Sequence, residues 1–190
     1  MKLGIALSGG GIRGIAHAGV LQALEENGIK PDIIGGTSCG SIVAAMYAMG
    51  YSPYHIFILC KKYGKIIART NALPILSGIH NSICNKKISF LGLNNGEKME
   101  EICDQMAKRR GINDLNDIKI PIVIPAVDII SGKECVFTNK IPNKKSEDKE
   151  YIANVNVGRA VRASSSFPAY FSPCQHEGCA FMDGGVLNNV

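Results

Sequence analysis

A serine flanked by glycines lies in the segment Gly36-Thr37-Ser38-Cys39-Gly40, between a predicted strand and a predicted helix. The segment matches the pattern G-x-S-x-G. A serine on such a sharp turn projects its hydroxyl into a cleft, and flanking glycines avoid clashes with the neighbouring backbone. The start of the following helix also favours developing negative charge. A tight turn of purely structural purpose is the alternative, but the strand–turn–helix setting favours a nucleophilic Ser38.

A glycine-rich loop precedes this elbow, again between a predicted strand and a predicted helix: Gly9, Gly10, Gly11, Ile12, Arg13 and Gly14. As a G-x-G-x-x-G motif, it could hold a pyrophosphate on its amides. That interpretation expects an acidic residue at the end of the second strand, where Gly35-Gly36 stands instead. Alternatively, the loop amides form an oxyanion hole for an intermediate built on Ser38. We favour the oxyanion hole.

A serine nucleophile needs a proton acceptor, and histidine is the usual one. A triad in the order Ser38, Asp128 and His176 is possible on motif order. However, His176 lies in a short loop whose neighbours suggest no oriented partner. The chain's other histidines are His17, predicted to pack in a helix, and His55 and His80, in its weakly patterned middle.

Asp183 is the better candidate for the acceptor. It follows the predicted strand 180–182 and precedes Gly184 and Gly185, so its carboxylate would emerge at a strand end. Active sites of α/β proteins are built at such ends. An Asp-Gly turn without a chemical role is the alternative.

The elements around these motifs alternate between strand and helix, which predicts an α/β fold with a parallel sheet. Helical periodicity extends through the first half of the chain and returns after residue 97. The stretch Thr70 to Asn95 has no clear pattern. The predicted strands are 3–7, 31–34, 120–130, 134–138 and 180–182, and the predicted helices are 15–27, 97–110, 155–163 and two that begin near residues 41 and 53.

The composition is that of one globular domain, with 190 residues, 46% hydrophobic residues and a net charge of +5. No apolar run is long enough to span a membrane. Only 6% of the residues are aromatic and the basic residues are not densely clustered, so we expect no nucleic-acid partner. The N-terminal apolar run is too short for a signal peptide.

The seven cysteines are odd in number and dispersed, which is typical of reduced thiols in a cytoplasmic protein. Cys174, His176 and Cys179 form a compact cluster, but a closed zinc site requires a fourth ligand. We therefore expect no metal and no cofactor.

Together these motifs resemble the patatin-like phospholipase family, in particular its bacterial-type lipid acyl hydrolases. The resemblance rests on the glycine loop, the elbow at Ser38, the late Asp183-Gly184-Gly185 and the preceding run from Arg162 to Pro168. It implies a three-layer α/β/α fold with a mostly parallel central sheet. It also implies a Ser38–Asp183 dyad without histidine, and hydrolysis of phospholipids or other acyl-ester lipids.

The resemblance covers nearly the whole chain, so residues 1–190 are expected to form a single patatin-like domain. Family domains ordinarily continue beyond the Asp-Gly motif, and this chain is expected to lack that C-terminal part. Two other functions remain open from the sequence: a catalytically silent lipid- or protein-binding module of the same fold, and a nucleotide-binding protein.

The positive charge is concentrated in one region. No acidic residue occurs between Asp32 and Glu97, and the stretch contains six basic residues: Lys61, Lys62, Lys65, Arg69, Lys86 and Lys87. A solvated helix face is the plain explanation. The functional hypothesis is a basic surface that holds a cytoplasmic enzyme at anionic phospholipid through peripheral contact. The sequence leaves the oligomeric state open.

Overall fold

Seven strands form one mixed sheet in the computed structural model, which describes residues 2–67 and 94–189. The first strands run parallel in the order β1, β2, β3, and β3 then pairs antiparallel with β4, which pairs parallel with β5. The strands are β1 Gly4–Leu7, β2 Ile33–Gly36, β3 Ile122–Asp128, β4 Glu134–Thr138, β5 Lys149–Ile152, β6 Cys174–His176 and β7 Cys179–Asp183.

Within these described ranges, five α-helices accompany the sheet: α1 Ala16–Glu26, α2 Cys39–Ala48, α3 Pro53–Ile67, α4 Glu97–Lys108 and α5 Val157–Ser164. Short 3-10 turns cover Gly11–Ile15, Leu115–Asp117 and Gly184–Val186. Helix α2 packs against β2, and α5 packs against β3, β7 and α4. None of the helices within the described ranges combines the length and apolar character needed to cross a membrane.

Two strands share one edge of β3. Strand β4 occupies the other edge from Val123 to Val127. Parallel β2 pairs near the start of β3, with Ile34 opposite Ile122, and antiparallel β7 pairs near its end, with Asp183 opposite Ala126. Because β2 and β7 run in opposite directions along the same edge, their carboxyl ends point toward each other. This topology brings the residues that follow β2 close to the last residue of β7.

The core lies on one face of the sheet. Successive side chains of a strand point to opposite faces of the sheet, and Ile34 of β2 lies opposite Ile122 of β3. Ile34, Ile122 and Ile124 therefore share the face that meets the helices, and all three are fully buried. Phe137 and Phe181 meet there edge to face, with ring centroids 5.2 Å apart. The opposite face is more open at its β1–β2 edge, where Ile33 is 38% exposed.

Most predicted elements are confirmed, including the α/β class and the β3–β4 hairpin. The apolar stripe of α4 is buried, as its helical spacing favours: Met99, Ile102, Cys103 and Met106. Residues 70–93 of the unpatterned stretch lie outside the described residues.

Two strands were not predicted from the sequence. Strand β5 lies in a charged segment to which no strand was assigned, and β6 lies in the predicted loop that holds His176. Lys149 of β5 lies opposite Glu134 of β4, and its Nζ forms an ion pair with the Glu134 carboxylate at 2.9 Å. A cross-strand pair of this kind stabilises a strand whose own sequence has no apolar alternation.

Candidate active site

Ser38 lies on a sharp turn between β2 and α2, with φ 54° and ψ −126°. Few non-glycine residues adopt a positive φ, and such a conformation costs about 1–3 kcal/mol. The flanking glycines are required by crowding: a Cβ on Gly36 would lie 2.3 Å from the Gly40 carbonyl oxygen, and a Cβ on Gly40 would lie 2.2 Å from the Leu7 carbonyl oxygen. The backbone therefore has the geometry of the predicted nucleophile elbow.

Hydrogen bonds from three directions hold the elbow. The Ser38 amide donates to Ser164 Oγ at 3.1 Å, which connects the turn to the end of α5. The hydroxyl of Ser41 donates to the Ser38 carbonyl at 2.6 Å, and the Gly40 amide donates to the carbonyl of the fully buried Thr37 at 2.8 Å. These hydrogen bonds use the amide and the carbonyl of Ser38 and do not involve its hydroxyl.

Asp183 is the last residue of β7 and is only 2% exposed. Its amide donates to the Ser166 carbonyl at 3.0 Å, and its Oδ1 accepts from the Gly185 amide at 2.8 Å. Its Oδ2 is buried and has no hydrogen-bond partner of standard geometry among the described residues. Gly184 packs beneath it, since a Cβ there would lie 2.5 Å from the Pro125 carbonyl oxygen.

Burial raises the pKa of Asp183 above its usual 3.8, because the charged carboxylate loses water. The nearby Ser38 hydroxyl and the Gly185 amide lower it again, but only in part. The Ser38 hydroxyl is thus close enough to the Asp183 carboxyl to influence its pKa. Catalytic hydrogen bonds are often long before substrate binds.

The glycine loop lies beside Ser38, and a Cβ on Gly9 would be 3.0 Å from the Ser38 Cβ. The Gly9 amide donates to Asn189 Oδ1 at 2.8 Å. Gly11, with φ 57°, needs the left-handed region that glycine tolerates. Within the described ranges, the amides of Gly10 and Gly11 donate no hydrogen bond, so they are the free donors of the loop.

The other predicted oxyanion-hole residues of the loop have different surroundings. The Arg13 amide donates to the Gly10 carbonyl at 3.3 Å. Ile12 is 80% exposed. Gly14 is buried against Cys39, whose Sγ would lie 2.7 Å from an added Cβ. Arg13 and Gly14 therefore shape the loop beside the free amides of Gly10 and Gly11.

A cavity of about 660 Å³ joins these groups. Ser38, Asp183 and the three glycines of residues 9–11 line one end of it, together with Cys39, Gly185 and Asn189. The rest of its wall is almost entirely apolar and includes Ile15, Ile42, Met46, Leu59, Cys60, Tyr63, Met99, Ile102, Cys103, Phe167, Tyr170, Phe171 and Val186. The arrangement is suited to a long apolar group with a reactive centre at one end.

Asp128 and His176, the alternative triad partners, do not line this cavity. The Asp128 carboxylate accepts hydrogen bonds from Ile130, Ser131 and Ala180, and so organises the turn between β3 and β4. Burial opposes its ionisation, but these hydrogen bonds together outweigh that effect and lower its pKa. The structure therefore does not assemble the triad.

The remaining histidines within the described ranges lie outside the cavity lining as well. His17 bonds the Ser8 carbonyl through Nε2 at 2.9 Å, which anchors the start of the glycine loop. His55 contacts Ser52 at the exposed start of α3. His80 lies outside the described residues.

The thiols of the cavity wall are protonated at neutral pH. Burial raises the pKa of Cys39 to about 11 and that of Cys60 and Cys103 to about 12, so they act as small apolar groups. All six cysteines within the described ranges are free. In the same ranges, no three His, Cys, Asp or Glu side chains gather as metal ligands would.

Asp32, the acidic residue nearest the second strand, accepts the Leu3 amide through Oδ2 at 2.7 Å. It precedes β2, whereas a ribose-binding acid would follow the strand. The glycine loop thus lacks the companion residue that nucleotide binding requires.

Sequence reasoning missed the individual roles of Arg162, Ser164 and Asn189. Arg162 is 4% exposed, and its guanidinium donates to Ser166 Oγ and to the carbonyls of Asn95 and Ser172. It thereby connects the segment before α4 to the segment after α5. Two arginines, Arg159 and Arg162, within an otherwise small and mostly apolar helix were the available signal.

The profile of the family described as Patatin-like phospholipase matches residues 5–190. Lysophospholipase NTE1 of Candida albicans is 30% identical over 194 residues, which cover 99% of this chain and 12% of that protein. The protein YqhO of Bacillus subtilis is 33% identical over 190 residues, which cover 96% of this chain and 62% of that protein.

Two solved structures share the fold. ExoU, in complex with SpcU from the type III secretion system of Pseudomonas aeruginosa, aligns with a TM-score of 0.57 and 20% identity, over 89% of this chain and 39% of that chain. VipD from Legionella pneumophila aligns with a TM-score of 0.55 and 14% identity, over 100% of this chain and 47% of that chain. The chain thus spans only part of the proteins to which it is similar.

Proposed function

Because this chain belongs to the patatin-like phospholipase family, we propose that it is a serine-dependent lipid acyl hydrolase of the phospholipase A, lysophospholipase or esterase type. The observation that carries the proposal is the shared cavity: a strained serine, a buried carboxylate and two free loop amides meet at one end of an apolar chamber. The relatives named lysophospholipases support a lipid ester as substrate.

In the acylation step, Ser38 Oγ attacks the ester carbonyl carbon and its proton passes to Asp183 Oδ2. The carbonyl oxygen becomes an oxyanion, and the amides of Gly10 and Gly11 donate hydrogen bonds to it. When the intermediate collapses, the bond to the alcohol oxygen breaks and Asp183 returns the proton to that leaving group. The products are the free alcohol and an acyl ester on Ser38.

Deacylation repeats these steps with water. Asp183 accepts a proton from a water molecule as the water oxygen attacks the acyl carbon, and then returns a proton to Ser38 Oγ. A fatty acid leaves and the serine is restored. No metal or cofactor takes part in either half of the reaction.

A carboxylate can replace histidine here because of its surroundings. A solvated aspartate is a weaker base than histidine by ~2.6 pKa units, or about 3.5 kcal/mol. Burial of Asp183 raises its pKa and narrows that gap. A bound acyl chain would exclude further water and strengthen the effect.

The decisive experiment uses a fluorophosphonate probe and hydrolysis of lysophosphatidylcholine. We expect the probe to label Ser38, as mapped by mass spectrometry, and expect Ser38→Ala and Asp183→Asn to lose at least 100-fold in hydrolysis. Ser146→Ala, in an exposed loop, is the control and should behave as the unmodified protein. Full activity in Asp183→Asn would contradict the dyad. A folded protein that is not labelled would indicate a catalytically silent module.

We also propose that the protein acts in the cytoplasm as one domain in peripheral contact with anionic membranes. Most of the buried apolar side chains in the described part of the chain belong to one core cluster, and the free cysteines there suit a reducing compartment. Lys61 and Lys62 are exposed on α3. The side chain of Lys65 and residues Arg69, Lys86 and Lys87 lie outside the described residues. Sedimentation with vesicles should increase with phosphatidylglycerol content and fall with salt, and binding that ignores both would contradict this contact.

A further inference from the structure

Three large apolar side chains surround the opening of the cavity. Ile12, Phe167 and Val186 all line the cavity, yet they are 80%, 60% and 53% exposed. They come from separate parts of the chain: the glycine loop, the segment after α5 and the turn after β7. We call these three residues the apolar rim.

Isolated exposed apolar residues are ordinary, but their convergence on one opening is not. Other strongly exposed apolar residues, such as Ile130 at 68% and Tyr54 at 62%, do not line the cavity. The apolar rim therefore lies between the apolar interior of the cavity and the solvent.

We propose that the apolar rim inserts into the surface of a phospholipid bilayer, so that an acyl chain passes from the bilayer into the cavity without crossing water; this rests on the proposed function. Each methylene of the acyl chain that stays out of water avoids an unfavourable exposure of apolar surface. A protein partner seated on the rim would close the entrance, whereas a bilayer supplies the substrate through it.

Positive charge near the rim is complementary to an anionic bilayer. Arg13 is exposed and follows Ile12 directly. Helix α3 contributes Leu59, Cys60 and Tyr63 to the cavity wall and exposes Lys61 and Lys62 between them. Apolar insertion together with basic side chains at the headgroups is the usual arrangement of peripheral membrane contact.

The chain contains no tryptophan, so a single introduced tryptophan reports its own surroundings. In the Ser38→Ala background, which spares the lipid, we would compare Phe167→Trp with Ile130→Trp on vesicles of phosphatidylcholine and phosphatidylglycerol. We expect a blue shift, and quenching by lipids brominated on their acyl chains, for Phe167→Trp alone. Absence of quenching in Phe167→Trp, or equal quenching in both variants, would overturn the proposal. A blue shift that appears without vesicles, and only at high protein concentration, would indicate self-association and would also overturn the proposal.

A second measurement does not depend on a reporter. Val186→Ser should weaken sedimentation with the same vesicles by roughly three- to tenfold, because it removes an inserted apolar group. Ile130→Ser is the matched control and should leave binding unchanged. Equal binding by Val186→Ser and the unmodified chain would contradict insertion. Neither experiment requires enzymatic activity. If the probe labels Ser38 of the unmodified chain but Phe167→Trp is not quenched, only the insertion of the apolar rim is overturned. If Phe167→Trp is quenched but the unmodified chain is not labelled, only the hydrolase proposal is overturned.

Discussion

Ser38 and Asp183 are both held in states that a folded chain normally avoids. The serine has a positive φ, and the carboxylate is buried with one oxygen unpartnered within the described part of the chain. Each state costs free energy that the fold must compensate elsewhere. Such groups cluster at functional sites, and here the two lie at the end of the same cavity.

The raised pKa of Asp183 predicts the pH dependence of hydrolysis. The carboxylate acts as a base only when ionised, so activity should fall as the pH drops through a pKa above 3.8. The measurement is kcat/KM for a soluble short-chain ester as a function of pH. Asp148→Asn, at an exposed position, should leave the profile unchanged. An acidic inflection at or below 3.8 would be inconsistent with a buried base.

Ser164 is a positioning residue for the elbow, since its Oγ accepts the Ser38 amide. Ser164→Ala removes this acceptor and leaves a partly buried amide unpaired. We expect kcat to fall roughly three- to tenfold with little change in KM, in line with the loss of one hydrogen bond of ~1 kcal/mol. Steady-state kinetics tests this, with Ser146→Ala as the control. An unchanged kcat in Ser164→Ala would show that this hydrogen bond does not position Ser38 for catalysis.

At the scale of elements, α4 and α5 form a tightly packed pair that supports the site. A Cβ on Gly158 would lie 2.3 Å from the Glu100 carbonyl oxygen, so only glycine permits this approach. Arg159 forms an ion pair with Glu100 at 2.8 Å. Because α5 ends at Ser164, any shift of this pair would move the acceptor of the Ser38 amide.

Asp104 of α4 caps the start of α5. Its Oδ1 accepts the Gly158 amide at 2.7 Å, and its Oδ2 accepts the Asn156 side-chain amide at 2.6 Å. Asp104→Ala should lower the free energy of unfolding by about 1–3 kcal/mol, because it removes a helix cap and leaves a buried amide unpaired. Urea unfolding measures this. A loss no greater than that of the exposed Asp148→Ala would argue against the cap.

At the scale of the whole molecule, the proposed catalytic carboxylate opposes folding. The pKa of Asp183 is higher in the folded than in the unfolded chain, so the folded state binds its proton more tightly. The resulting stability is fully present below the unfolded pKa near 3.8 and is lost as the pH rises through the folded pKa. At neutral pH, the ionised carboxylate therefore lowers the stability of the fold.

Asp183→Asn should accordingly be at least as stable as the unmodified protein at pH 7, while it loses hydrolysis. The asparagine Oδ1 can still accept the Gly185 amide, and no charge is buried. Thermal unfolding at pH 7 tests this, with Asp148→Asn as the control for removal of an exposed charge. A marked decrease in Tm would mean that the negative charge has a stabilising partner.

Local motifs were predictable because they depend on backbone conformation. Gly36 and Gly40 are packed closely against backbone atoms, and Gly11 has a positive φ. Because these conditions favour glycine, the glycines in the sequence indicate the local backbone geometry. The buried stripe of α4 was predictable from its spacing alone. Strand β5 was not, since it forms by pairing with β4, a strand from another part of the chain.

The chemical groups of the site were evident from the sequence: an elbow serine, a glycine loop and a late aspartate, each recognisable from its own neighbours. Which of these groups meet depends on the packing of the strands. The antiparallel register of β7 on β3 places Asp183 beside Ser38, whereas the turn after β3 engages Asp128. Asn189 Oδ1 accepts a hydrogen bond from the Gly9 amide, whereas the amides of Gly10 and Gly11 are free. These outcomes depend on contacts between residues far apart in the chain, and no local pattern encodes them.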